Sequence, residues 1–489
     1  MVCEMAGKAD LTSLSAFDFI SSDTASRCAR PGVRSRRRAA GLMIPAALFL
    51  TPGLASARQS GEVADPGTAG PRLVIDISGG GRIRSESLSG QFRPDLGRSD
   101  FATTYRTAIA AHGRFAPLRF GVELVDSRVL RADEGGDFGV GDVNAFEPVQ
   151  AYVGFDVGVM KWTLGRFTQD IGSRRLIARS NSGNAATAFT GIRSEWEGGD
   201  GRTLTALYVL PGIRRPEDRE DVFHNHHEFD GQTRDRRIAG LFYTGHPLTP
   251  DIRADAYLFH FSDVDGKVRA TRDRRLVVTG ARIFREPGSQ GVDFELEVIS
   301  QTGKARRTTR PDDVTDLDVV AGAVHAEVGW TPGDVWNSRV ELAFDYGSGD
   351  GDPGDDRHGR FEGVFGTNRG DFGPGGLYGA LSRSNVIVPT LRLDVEPSDR
   401  WDAYLSYKPL WLARARDVFA STQIRDPSGR SGRFAGHQIE GRVRRRVGYG
   451  VTWEAGGAWL RPEGFLTRAP DVTHNGSTLY GYTDLTFAF

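Results

Sequence analysis

Leu479-Tyr-Gly-Tyr-Thr-Asp-Leu-Thr-Phe-Ala-Phe489 ends the 489-residue chain, and it alternates. Leu485, Phe487 and Phe489 fall on one face; Asp484, Thr486 and Ala488 fall on the other, as side chains of a β-strand do. The sequence stops on the aromatic. A free apolar edge strand invites pairing with other chains, so soluble sheets blunt or cover such edges. A strand that closes a membrane barrel is covered by lipid on one face and lumen on the other, with both edges paired.

The N-terminal region predicts an export signal. Arg34-Ser-Arg-Arg-Arg38 is basic, Ala39 to Leu54 is apolar, and Ala55-Ser56-Ala57 fits a small-residue cleavage site. Residues 1–57 read as an over-long start plus a signal peptide cut after Ala57. Val33 is then the expected start. Residues 58–72 are polar with Gly and Pro and read as a flexible periplasmic leader; residues 73–489 remain for the barrel. Cys3 and Cys28 are the only cysteines, so the expected mature chain has no disulfide, thiolate metal site or cysteine nucleophile. Residues 1–57 carry seven Lys/Arg against four Asp/Glu, which moves the formal charge from −1 to −4 after Ala57. That balance gives no case for a nucleic-acid partner. No apolar run is long enough for a mature transmembrane helix.

From Leu73 onward, short alternating segments recur between Gly/Asp/Pro/Arg-rich turns. Examples are Val340-Glu-Leu-Ala-Phe-Asp-Tyr346, Phe294-Glu-Leu-Glu-Val298, Leu391-Arg-Leu-Asp-Val395 and Val451-Thr-Trp-Glu-Ala455. Period two predicts strands. A β-sandwich also alternates, but here the polar face is repeatedly charged and the other face bulky and aromatic. That pattern suits a lumen and a lipid surface. The expected fold is all-β, an antiparallel transmembrane β-barrel. Roughly 20–25 residues per strand with its loop, for strands of about 9–11 residues, give about 16–20 strands. Thr331-Pro-Gly-Asp334 and Glu396-Pro-Ser-Asp399 read as short periplasmic turns, and Gly347 to Arg360 as an extracellular loop. The expected surroundings are outer-membrane lipid.

Two stretches carry a resemblance. One is Leu164-Gly-Arg166, Ile171-Gly-Ser-Arg-Arg-Leu-Ile-Ala-Arg179, Asn184 and Phe189-Thr-Gly-Ile-Arg193. The other runs from Tyr346-Gly-Ser-Gly-Asp350 through Phe361-Glu-Gly-Val-Phe-Gly366, Gly370-Asp-Phe-Gly-Pro374, Leu381-Ser-Arg-Ser-Asn385, Trp411-Leu-Ala413, Arg425-Asp-Pro-Ser-Gly-Arg-Ser-Gly432 and Gly436-His-Gln438 to Phe465. The chain resembles the alginate export family of bacterial outer-membrane barrels, least so over residues 200–343. It departs from the family pattern at Ser180-Asn181, where a basic-acidic pair is usual, and at Thr190, where Asp is usual. The terminal Phe489 likewise resembles an outer-membrane sorting signal. The resemblance implies 18 strands, an arginine-rich constriction, and passage of a polyuronate from periplasm to exterior through loops gating both ends. It also implies a periplasmic secretion complex with a helical-repeat scaffold as partner.

An acidic polysaccharide needs cations along its path, and the guanidinium fork matches a carboxylate bidentately. If Ile439, Val443 and Val447 face lipid, Arg442, Arg444 and Arg446 face the lumen with Glu440. The same parity sends Arg392, Arg193, Arg82 and Arg84 inward. Against lipid each arginine would cost about 2–4 kcal/mol at mid-depth. Arg445 falls on the lipid face, which places that strand end at the interface. Arg166 shares parity with Trp162 and Leu164, so its inward placement rests on the resemblance, which also brings in Arg174 and Arg179. The opposing reading is structural pairing with lumen carboxylates such as Glu440 and Glu454.

Other clusters carry less. His224, His226, His227 and Glu228 have metal-ligand types without a zinc spacing. Asp345, Asp350, Asp352, Asp355 and Asp356 do not complete a calcium loop, since position twelve from Asp350 is Phe361; a flexible loop is the plainer reading. No cofactor is called for. Ser382, Ser384 and His437 lack an orienting motif for catalysis. A polyuronate conduit is thus the expected function. A porin-like channel for small anions or sugar acids is the alternative, and an outer-membrane enzyme is a third.

Overall fold

The computed structural model describes residues 72–179, 184–245, 249, 251–266, 269–368 and 370–489. The expected signal peptide, all of the leader but Arg72, and Ser180-Asn181 lie outside these residues. Eighteen antiparallel strands close into a ring. The ring closes where β1 (Val74–Ser89) pairs with β19 (Thr478–Ala488), from Gly80 opposite Ala488 to Ser89 opposite Leu479. A nineteenth strand, the two-residue β14 (Arg357–His358), pairs in parallel with β12 (Leu317–Thr331) inside a loop and is not part of the wall.

The connections sort by length. At one rim the turns are short, such as 116–117, 158–159, 399–400 and 449–450. At the other they run long, such as 168–188, 212–235, 348–385 and 412–433. The turn expected at Glu396–Asp399 is displaced, because β15 (Val386–Ser398) continues through Pro397. Proline is tolerated there because the strand end no longer needs its N–H in the ladder.

Parity assigns the faces as the alternation predicts. Along β13 (Arg339–Gly347), Val340, Leu342 and Phe344 are exposed, while Glu341, Ala343 and Asp345 are buried. Trp162, Trp196, Trp330, Trp401 and Trp453 stand at the short-turn ends of their strands, where an amphipathic ring suits the lipid–water boundary. Arg445 also points outward there, its guanidinium 5.0 Å from the Trp401 ring centre.

The long-loop half of the lumen is filled. Loop 168–188 meets loop 348–385 in a parallel bridge of Ile177 to Phe365. Phe365 N–H donates to Leu176 O at 3.0 Å, Ala178 N–H to Phe365 O at 3.0 Å, and Thr367 N–H to Arg174 O at 3.0 Å. Phe167, Phe189, Phe259, Phe261 and Phe361 pack around this junction, and a second cluster gathers Phe372, Leu410, Phe419 and Phe465. The loop expected over Gly347 to Arg360 is exposed at Gly351, Asp352 and 354–357, and the residues after it turn inward, with Phe361, Phe372 and Asn385 fully buried.

The terminal strand is fastened by its last residue. Phe489 exchanges both backbone hydrogen bonds with Gly79, at 3.1 and 2.9 Å. The Phe487 ring lies across Gly81, where a Cβ would approach it to 2.7 Å, and the Phe489 ring covers Gly79 in the same way. Deleting Phe489 is therefore expected to impair assembly, read as loss of the heat-modifiable folded band, while the molecules that do assemble keep wild-type conductance. Complete assembly of the deletion would remove this role.

Candidate functional site

The lumen is lined by paired charge. One rung crosses five strands: Arg84 of β1 lies opposite Asp484 of β19, Asp484 opposite Glu454 of β18 (Val451–Pro462), Glu454 opposite Arg444 of β17 (Phe434–Gly448), and Arg444 opposite Asp402 of β16 (Trp401–Trp411). All five are buried. Arg84 Nη1 reaches Asp484 Oδ2 at 2.7 Å and Arg84 Nε reaches Glu86 Oε1 at 3.1 Å. Arg444 Nη2 lies 2.8 Å from Glu454 Oε2. Arg442 Nη2 lies 2.7 Å from Asp402 Oδ1, and half-exposed Arg446 approaches Asp402 and Glu396 at 3.5 and 3.7 Å. Asp484 and Glu454 would repel each other, and an arginine on each side offsets that.

The remaining arginines read from the sequence divide in the same way. Arg392 pairs with Asp394 at 2.8 Å and lies 3.9 Å over the Tyr404 ring. Arg193 pairs with Glu195 at 3.1 Å. Arg179 bonds Glu123, with Nη1 to Oε2 at 2.9 Å. Arg166 reaches Glu147 and Asp230 at 2.5 and 3.1 Å. Arg82 Nη2 donates to Asn184 Oδ1 at 2.9 Å. Arg174 stands apart. It sits at the junction of the two inward loops, and among the described residues its guanidinium has no hydrogen-bond or ion-pair partner. The structural-pairing alternative therefore describes most of this set, including the Glu454 contact. Glu440 is instead taken by Lys408, 2.6 Å away.

Sequence reading missed the hub. Arg175, the neighbour of Arg174, is buried and binds Glu297 at 2.7 Å, Asp371 at 3.0 Å and also Glu295. Arg383 bonds Asp371 from the other side, and Arg282 holds Glu295 at 2.5 Å. Burial acts to raise the Asp371 carboxyl, but Arg175 and Arg383 outweigh it and hold it below the ordinary carboxylate range. In a loop no parity separates Arg174 from Arg175. Arg106, Arg282 and Arg339 lie on strands, where the alternation would have found them.

Metal and catalytic readings gain no support. His325, Asp345 and Asp371 bring ligand atoms within 4.8 Å of one another. Arg175 and Arg383 already neutralise Asp371, however, and Asp345 Oδ1 accepts from His325 Nδ1 at 2.9 Å. Asp345 is a wall residue, so it does not join the acidic loop; Asp352 and Asp355 accept local backbone N–H groups. The histidines diverge: His224 contacts Glu220 O, His226 faces Asp221, and His227 stacks edge-on with Phe229. Ser384 donates to Phe361 O and His437 pairs with Tyr407, so they form no catalytic array with Ser382.

This is the wall of a porin-like outer-membrane channel. The profile of the alginate export family matches residues 75–478, and the chain belongs to that family. Solved barrels share the fold at low identity. Acinetobacter baumannii OccAB2 has a TM-score of 0.57 at 11% identity, covering 85% of this chain and 98% of that one. Pseudomonas aeruginosa OccK2 (OpdF), solved in complex with glucuronate, has 0.54 at 14%, with the same coverage. Pseudomonas aeruginosa OpdK, solved with vanillate, has 0.54 at 11%, again with 85% and 98%. No curated protein matches the chain.

Two substitutions separate scaffold from open cation. Arg444→Ala leaves Glu454 and Asp402 buried with one partner fewer, and is expected to destabilise the barrel by about 3–5 kcal/mol. Arg174→Ala is expected to stay within about 0.5 kcal/mol of wild type. The urea midpoint of barrel unfolding in detergent measures both.

Proposed function

We infer that the chain conducts an anionic polysaccharide, alginate or a related polyuronate, outward through the outer membrane, with the long-loop rim facing the exterior. The observation that carries this reading is Arg174, a half-buried cation of the inward loop 168–188 with no partner among the described residues, beside lumen arginines that are largely paired. A carboxylate passing there would meet a guanidinium fork that no acid among the described residues holds. The surrounding ladder offers weaker, exchangeable contacts, which suits a polymer that must both enter and leave. Membership of the alginate export family supports the substrate class. A periplasmic helical-repeat scaffold would deliver the polymer, and a signal cut after Ala57 would deliver the barrel.

The second reading is a channel for small anions such as sugar acids. It is favoured by the loop junction at Ile177–Phe365, which narrows the path, and by the likeness to barrels solved with glucuronate and vanillate. Planar-bilayer recording distinguishes the two. Wild-type anion selectivity with long-lived block by oligouronates fits the conduit; brief block by monomeric uronate alone fits the small-anion channel. Arg174→Glu is expected to shift the reversal potential toward cations with assembly unchanged. An unchanged reversal potential would remove Arg174 from the path.

A further inference from the structure

Arg272, Arg307, Pro353 and Arg425, each from a different long connection, border a half-open cavity of about 390 Å³ at the long-loop rim of the barrel. It shares no residue with the lumen arginines, and only Leu317 comes from a wall strand. Its cations are of two kinds. Arg272 belongs to a closed group: it bonds Glu362, which Arg274 also holds at 2.7 Å and His358 at 3.0 Å. Burial acts to raise the Glu362 carboxyl, but His358, Arg272 and Arg274 outweigh it and keep it ionised. That corner of the cavity is neutralised from within.

Arg307 and Arg425 are the other kind. Arg307 Nη2 donates to Asp355 O at 2.7 Å, and Arg425 Nε donates to Arg416 O at 2.9 Å. Among the described residues neither guanidinium has a carboxylate partner. Each has five N–H donors, so most of each fork is open. Two acids also line the cavity. Asp417 accepts from the N–H groups of Asp350 and Val418, at 2.9 and 2.7 Å, and faces Arg360 at 3.4 Å. Asp350 is buried, and burial raises its carboxyl toward the neutral form. The cavity thus presents spare cationic forks beside acids already satisfied.

Size selects among anions. The volume far exceeds the share of about 30 Å³ taken by one water and falls in the range of about 300–1,000 Å³ typical of organic ligands. Leu317 and Pro353 add apolar surface that suits the C–H face of a sugar ring. We propose that this cavity is an exit subsite that seats one or two uronate residues of the emerging polymer, with Arg307 and Arg425 on their carboxylates. The proposal rests on the polyuronate reading above and names a second contact for that substrate, outside the constriction.

Calorimetric titration of the detergent-solubilised barrel with a tetrauronate tests it. The Arg307→Gln/Arg425→Gln variant is expected to lose about tenfold or more in affinity, as for lost hydrogen bonds to a charged group. Wild-type binding should weaken with added salt, and a neutral tetrasaccharide should not bind. Pro353→Trp, which sets an indole at the cavity wall, is expected to produce the same loss without removing a charge. Folded-band migration verifies assembly of each variant. Undiminished affinity in both variants, equal binding of the neutral sugar, or displacement by inorganic phosphate at the same concentration as uronate would overturn the subsite. Wild-type bilayer selectivity separates this from the channel reading: a cation-selective wild type would sink the conduit, while the titration still judged the cavity.

Discussion

Every peptide group in the hydrocarbon region must find a partner within the protein, since lipid offers none. For this chain the requirement is met only when β1 and β19 join, residues almost the whole sequence apart. The C-terminal strand is shaped by that constraint. Its outward side chains, Leu485 and Phe487, are apolar because lipid covers them. Its inward ones, Tyr480, Tyr482 and Asp484, are polar because they meet the lumen network. Opposite the two terminal aromatics β1 carries Gly79 and Gly81, leaving room for the rings on the seam. One seam thus couples a backbone requirement to the choice of side chain on both strands.

The same closure brings the inward charges into register. Inward parity alone puts Arg84, Asp484, Glu454, Arg444 and Asp402 into the lumen; pairing of their strands makes them one rung. Buried ions are tolerable only when paired and hydrogen-bonded, so the belt holds the wall's shape as much as it sets the field of the path. On the polyuronate reading, a carboxylate in transit would compete with these internal partners for each guanidinium. That competition keeps any single contact weak, which conduction along a polymer requires. Arg174 escapes the competition because it sits on a loop tip and not on a strand facing another strand's acid.

The wall was legible because a period-two pattern needs only neighbours in sequence. Ile83 against Arg84, Leu391 against Arg392 and Val443 against Arg444 gave their faces directly, and the structure keeps them. Partners were not legible, because they are set by register between strands. Nothing near Arg444 in sequence marks Glu454 as its mate, although Glu454 was recognisable as an inward acid. Loops were least legible. Arg174 and Arg175 are adjacent, yet one is open and the other is the hub of three acids from β11 (Gly291–Ala305) and loop 348–385. Gly347 to Arg360 read as a loop because Asp and Gly favour turns, and 351, 352 and 354–357 are exposed; the burial that follows, at Phe361 and Phe372, was not legible because their packing partners lie on distant strands.

The choice between polymer and small anion turns on the loop junction and not on the wall. The junction has three backbone hydrogen bonds, each worth about 0.5–1.5 kcal/mol net. The Phe365 ring, 5.9 Å from both Phe189 and Phe261, adds about 0.5–1.5 kcal/mol per aromatic pair. The Arg175–Asp371 ion pair also joins these two loops, so parting them costs more than the roughly 1–3 kcal/mol by which one ligand typically shifts a conformational equilibrium. A single uronate that passes without parting the loops makes too few contacts to supply it. A polymer bound at several arginines at once gathers those contacts additively along its length. On the polyuronate reading the barrel would discriminate by valency: short anions would meet the closed junction, and only a chain long enough to engage the ladder on both sides of Arg174 would stabilise a parted one.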